Sequence, residues 1–170
     1  MANESSFTAD EWKQVLGGVF MAGFAVTAAD PGGLWGLLKE TFASGRALME
    51  AKSNPGASEL SKAIVSALES SEGRAAAQDF GRGHLQGASR DQIKQRAIDA
   101  LRSAAAIVDL KAPTDAAAYK SWLVKIANDV AEASKEGGFL GFGGVGVSDT
   151  EKATLSEIAN VLGRAERAGS

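Results

Sequence analysis

Phe7-Thr-Ala-Asp-Glu-Trp-Lys-Gln-Val-Leu-Gly-Gly-Val-Phe-Met-Ala-Gly-Phe-Ala-Val-Thr-Ala-Ala29 decides the fold. Thr8-Ala-Asp-Glu11 is a capping box, in which a hydroxyl and a carboxylate each take the other residue's backbone N–H. Phe7 and Trp12 stand at the two staple positions around it. A helix therefore starts at Thr8 and runs to about Ala29. Beyond Leu16 it has no polar face. Val15, Leu16, Val19, Phe20 and Val26 form one side, and Met21 and Phe24 fall on another. Gly18, Ala22, Ala25 and Ala29 make a stripe of small residues that lets a neighbouring helix come close. A helix apolar all round is buried all round, so this one is expected at the centre of a bundle. The alternative is a face covered by a partner subunit or a ligand.

Working outward, helix signals recur and strand signals do not. Asp30-Pro31 offers a cap followed by a first-turn proline, and the second helix reaches about Lys52 before Asn54-Pro55-Gly56 breaks it. Its stripe of Leu34, Leu38, Phe42, Gly45 and Met49 is expected to face the core, with Trp35 at the border as a core lid or an interface anchor. Leu60, Ile64, Ala67 and Leu68 mark a third helix. A short fourth follows Ser71, weakened by Gly81, Gly83 and Gly87. Ser89-Arg-Asp-Gln92 is a second capping box, and its helix carries Ile93, Ala97, Leu101, Ala104 and Val108 to about Leu110. Pro113-Thr114 caps a sixth helix with Tyr119, Trp122, Leu123, Ile126 and Val130, which stops at Gly137-Gly138. Ser148-Asp-Thr-Glu151 is a third box. It opens a last helix with Leu155, Ile158, Ala159 and Leu162 and Gly163 as its stop. The expectation is an all-α single domain over 1–170, a compact bundle of six or seven helices around a buried N-terminal helix. Its core spans 7–163 and a polar tail 164–170.

Composition narrows the function. The 170 residues are 45% hydrophobic and 23% charged, which excludes a disordered chain. With no cysteine there are no disulfides, thiol nucleophiles, Fe–S clusters or Cys-type zinc sites. A single histidine, His84, shares a helical face with Phe80 and has no nucleophile and orienting acid beside it in sequence, which disfavours an enzyme. A net charge of −3 argues against general nucleic-acid binding. The N-terminus has no basic region of a secretory signal, so a cytoplasmic location is expected. Val15–Ala29 is too short to span a bilayer.

Gly137-Gly-Phe-Leu-Gly-Phe-Gly-Gly-Val-Gly-Val147 most needs explaining, because it is glycine-rich and apolar where a connection is ordinarily polar. Gly141, Gly143 and Gly146 match G-x-G-x-x-G, but the motif needs a preceding strand and this segment follows a helix. Three uses remain: a plug on the open end of the bundle, a lid or partner-docking surface anchored by Phe139, Leu140 and Phe142, or a dip into a membrane interface. The absence of Lys and Arg from the segment weighs against the last.

Two charged groupings stand out. Asp129, Glu132 and Glu136 share one helix face, and Asp149 and Glu151 lie across the glycine segment. Folded together, these oxygens would suit Ca²⁺ or Mn²⁺. Otherwise they form a solvated face paired in part with Lys125, Lys135 and Lys152. Residues 74–102 lean basic and 129–160 lean acidic, an asymmetry able to orient a self-complementary contact.

Val147-Ser-Asp-Thr-Glu-Lys-Ala-Thr-Leu-Ser-Glu-Ile-Ala-Asn-Val-Leu162 resembles the closing helix of TerB-like (tellurite-resistance) helical domains, over about a tenth of the chain. The acidic Asp-Gly-x turn of those domains is replaced by Gly144-Val-Gly-Val147, which removes a metal-ligand carboxylate. Glu136-Gly-Gly-Phe-Leu-Gly-Phe-Gly-Gly144 is similar to stretches of bacterial proteins without an assigned activity. The resemblance implies a bacterial helical stress-response module with an oxygen-ligand metal site. The residues themselves favour a non-enzymatic protein for binding or assembly, as a homo-oligomer or with a protein partner. Its contacts would be Trp35, Phe139, Leu140 and Phe142. A small-molecule or lipid carrier with a pocket between helices is the alternative.

Overall fold

The computed structural model describes residues 2–29, 46–54, 57–136 and 147–168, with backbone alone for 46–48, 51, 133–136 and 164–168. After a 3-10 turn at Glu4–Ser6, these residues form α1 (Ala9–Ala29), α2 (Arg46–Ser53), α3 (Glu59–Glu69), α4 (Ser71–Leu85), α5 (Arg90–Lys111), α6 (Pro113–Glu136) and α7 (Asp149–Ala168). There is no strand among them. The chain is an all-α bundle. No described helix is long and apolar enough to cross a membrane.

All three capping boxes form. The Thr8 N–H donates to the Glu11 carboxylate at 2.7 Å and the Glu11 N–H to the Thr8 hydroxyl at 3.2 Å. Ser89 with Gln92 and Ser148 with Glu151 repeat the exchange. Phe7 and Trp12 stack at 5.6 Å between ring centroids and close the staple over the first. These motifs succeed because every partner lies within four residues, so no tertiary event is needed to bring them together.

Helix α1 is the central element. From Val15 to Ala29 its residues are buried except Phe20 and Phe24, which are half-buried. It packs most extensively on α5 and also touches α3, α4, α6 and α7. Two adjacent glycines allow this. The Phe80 ring of α4 lies where a Cβ of Gly17 would project. The Tyr119 hydroxyl of α6 and the Ala104 methyl of α5 would stand 2.6 and 3.2 Å from a Cβ on Gly18. Tyr119 is fully buried and its hydroxyl donates to the Val15 carbonyl at 2.8 Å. The small stripe is thus used by neighbouring helices of the same chain.

Several boundaries and faces differ from the sequence expectation. Thr114 is not a cap. Pro113 is the first helical residue of α6 and Thr114 lies in its first turn. Gly163 does not stop α7, which continues to Ala168, so 164–168 are helical and not a loose tail. A glycine ends a helix by taking positive φ, and among the described glycines only Gly87 does so, at φ 70°. Helix α4 is not short. It runs fifteen residues through Gly81 and Gly83, and a Cβ at Gly81 would only touch Met21 and Phe24 of α1 at ordinary contact distance. Met49 does not face the core but is 64% exposed. Glu50 and Lys52, on either side of it around the helix, reach Lys125 of α6 and Glu69 of α3 and turn Met49 outward. In α7 the inward face is Glu151, Thr154, Ile158 and Leu162, and Ala159 is exposed. Thr154 is tolerated there because its hydroxyl donates to the Thr150 carbonyl.

Candidate functional site

The direction of three helices fixes where the apolar segments leave the bundle. Lys111 at the end of α5 pairs with Glu11 at the start of α1 at 3.5 Å, so these helices run antiparallel. The chain then turns within two residues into α6, which runs parallel to α1. The Tyr119 contacts with Val15 and Gly18 fix the register. Eleven residues carry Gly18 to Ala29 and Tyr119 to Val130, an equal rise of about 16 Å. Val130 therefore lies near the level of Ala29, and α6 continues six residues beyond it to Glu136. Helix α7 packs against α5, with Lys94 and Glu157 paired at 3.1 Å.

Trp35, Phe139, Leu140 and Phe142 themselves lie outside the described residues, as do Asp30 and Pro31. Their flanks do not. Ala29 is buried, Val130 and Ala131 belong to the core, and Val147 packs against it half-buried. Next to Val147, the Ser148 N–H donates to the Glu151 carboxylate at 2.8 Å, which caps the start of α7.

The five candidate metal ligands are placed as follows. Asp129 accepts from Lys125 at 2.5 Å, Glu132 is exposed, and the Glu136 side chain is outside the described set. Asp149 is fully exposed and 3.8 Å from Lys152. Glu151 is buried and serves as the capping acceptor. Among the described residues, no three His, Asp or Glu side chains gather closely enough to hold an ion.

Other polar groups serve the scaffold. The Nδ1 of His84 donates to the Phe80 carbonyl at 3.0 Å, and its ring sits 4.0 Å from that of Phe80. The buried Lys120 ammonium meets Asp109 at 2.7 Å across the α5–α6 corner. Burial pushes the Tyr119 phenol well above its ordinary range. The Thr8 N–H and then Lys111 hold the Glu11 carboxyl below its own. The charge asymmetry is partly consumed inside the chain, since basic α5 lies against acidic α7 through Lys94 and Glu157. Sequence reasoning missed Lys120 and Asp109, whose eleven-residue separation has no periodic signal. It also missed Gly73, where a Cβ would collide with the Ala67 carbonyl in the α3–α4 corner.

No family model, curated protein or solved structure matches this chain.

Proposed function

We propose that the protein is a non-enzymatic binding or assembly module. It meets a protein partner, or a second copy of itself, through the apolar segments that follow α1 and α6. The observation that supports this is the parallel course of α1 and α6. The chain bearing Trp35 departs after Ala29, and the chain bearing Phe139, Leu140 and Phe142 departs after Glu136, so both follow helices that pack on each other. Two apolar segments that follow neighbouring helices make a shared contact surface attainable, as in interfaces anchored by a few aromatic side chains. The helical body needs no such partner. Its central helix is covered by five others, and no fully buried side-chain nitrogen or oxygen among the described residues lacks a hydrogen bond.

Native mass spectrometry of untagged protein tests the reading. The expected result is a defined multimer, or a complex with a co-purified protein, which Phe139→Ser with Phe142→Ser returns to a bare monomer at unchanged helicity. A double variant that unfolds would identify these rings as core plugs and overturn the reading. A wild-type monomer carrying a small-molecule mass would replace it with the carrier.

A further inference from the structure

We infer that the outer face of α5 around Leu110 is a self-docking surface, on which a second copy of the chain lies antiparallel across a two-fold axis near Ala106. The exposed side of α5 changes character along its length. From Arg90 to Arg102 it carries charges of both signs, and beyond Arg102 it shows Ser103, Ala106 and Leu110. Lys111 is turned aside to Glu11 at the start of α1. The exposed residues of α6 before Lys125 are likewise uncharged. Leu110 stands out of this surface at 77% exposure, the most exposed large apolar side chain among the described residues. Covering such a face dehydrates no unpaired charge, so little opposes the gain from burying Leu110.

The order of residues along this face selects the occupant. Ser103 and Leu110 are seven residues apart, and so are Arg102 and Asp109, so each pair lines up along the helix. Ala106 stands midway. Reversing a second copy about Ala106 lays Leu110 of each copy on the small residues Ser103 and Ala106 of the other. The same reversal keeps the flanks in place and brings Arg102 of each copy to Asp109 of the other. Within its own chain Arg102 is held by Asp99 at 2.6 Å and Asp109 by Lys120 at 2.7 Å. Asp99, Arg102, Asp109 and Lys120 thus form a row of alternating sign across the contact. A parallel copy would set these flanks on opposite sides and lose that match. One helix face is smaller than the area of a stable dimer, so the expected Kd is on the order of 100 μM. None of these residues belongs to the apolar segments after α1 and α6, so the inference stands independently of the assembly reading.

Sedimentation equilibrium of the full chain tests it, with crosslinking to locate the axis. The mean mass is expected to rise between about 10 μM and about 1 mM protein. Leu110→Glu and Arg102→Glu should each weaken that step about tenfold or more at unchanged helicity, because both side chains are exposed in the single copy. Phe139→Ser with Phe142→Ser should leave the step in place. The chain has no cysteine, so one introduced thiol reports without background. Ala106→Cys should give a disulfide-linked dimer under mild oxidation at about 1 mM, and Asp91→Cys, near the other end of α5, should not. A mass that stays constant over this range overturns the inference, as does a rise that Leu110→Glu or Arg102→Glu leaves intact. Crosslinking of Asp91→Cys as readily as Ala106→Cys overturns it too.

Discussion

At Gly18 the molecule tolerates no side chain, and the reason is specific. A methyl group there would meet the Tyr119 hydroxyl at 2.6 Å, and that ring is fully buried and hydrogen-bonded to the Val15 carbonyl. Gly18→Ala should therefore cost about 2 kcal/mol in denaturant unfolding, as overpacking of a filled core does. Tyr119→Phe removes the closest atom, so the double variant should lose less than the two single losses combined. Gly73→Ala should cost about 3 kcal/mol, because the atom in the way is the Ala67 carbonyl and backbone cannot turn aside. Tyr119 also predicts a pH effect. Burial raises its pKa in the folded state, so the folded chain holds the phenolic proton more tightly than the unfolded chain does. This contribution is fully present below the unfolded pKa of about 10 and is lost as pH rises above it. Midpoints measured from pH 8 to 11 should fall above about pH 10, and less steeply in Tyr119→Phe.

At the scale of elements, local motifs were legible and exceptions to them were not. Each capping box could be read because its donors and acceptors sit three residues apart, and each formed. Thr8→Ala should cost about 1 kcal/mol. The glycines were harder, since the same residue ends a helix, opens a notch or merely weakens a turn according to what stands beside it. Gly87 takes positive φ after α4, Gly17 makes way for Phe80, and Gly83 and Gly163 meet nothing within 4 Å. Gly83→Ala and Gly163→Ala should therefore each raise stability by about 0.5–1 kcal/mol by thermal melting. Gly87→Ala should lower it. The inward turn of α7 at Thr154 was hidden for a different reason. A threonine that bonds its own helix is polar in composition and apolar in effect. Of the proposed contact surface, the sequence displays the apolar residues, while the course of α1 and α6, the helices that precede them, is encoded by no local pattern.

At the scale of the whole molecule, α1 joins the bundle together. Five helices rest on it, whereas α2 keeps its described side chains in solvent. Exchange protection should accordingly be greatest at the centres of α1 and α5 and least in α2. Central placement of the first helix has a further consequence during synthesis. Its main partner is complete only when Lys111 has been added, eighty-two residues after Ala29. At roughly 5–20 residues per second that interval lasts roughly 4–16 s. Throughout it, a segment apolar on every side leaves the ribosome ahead of the helix that will cover most of it. The arrangement that makes the finished bundle self-sufficient thus makes the nascent chain dependent on early shielding, and ribosome-associated chaperones should crosslink to α1 before α5 emerges.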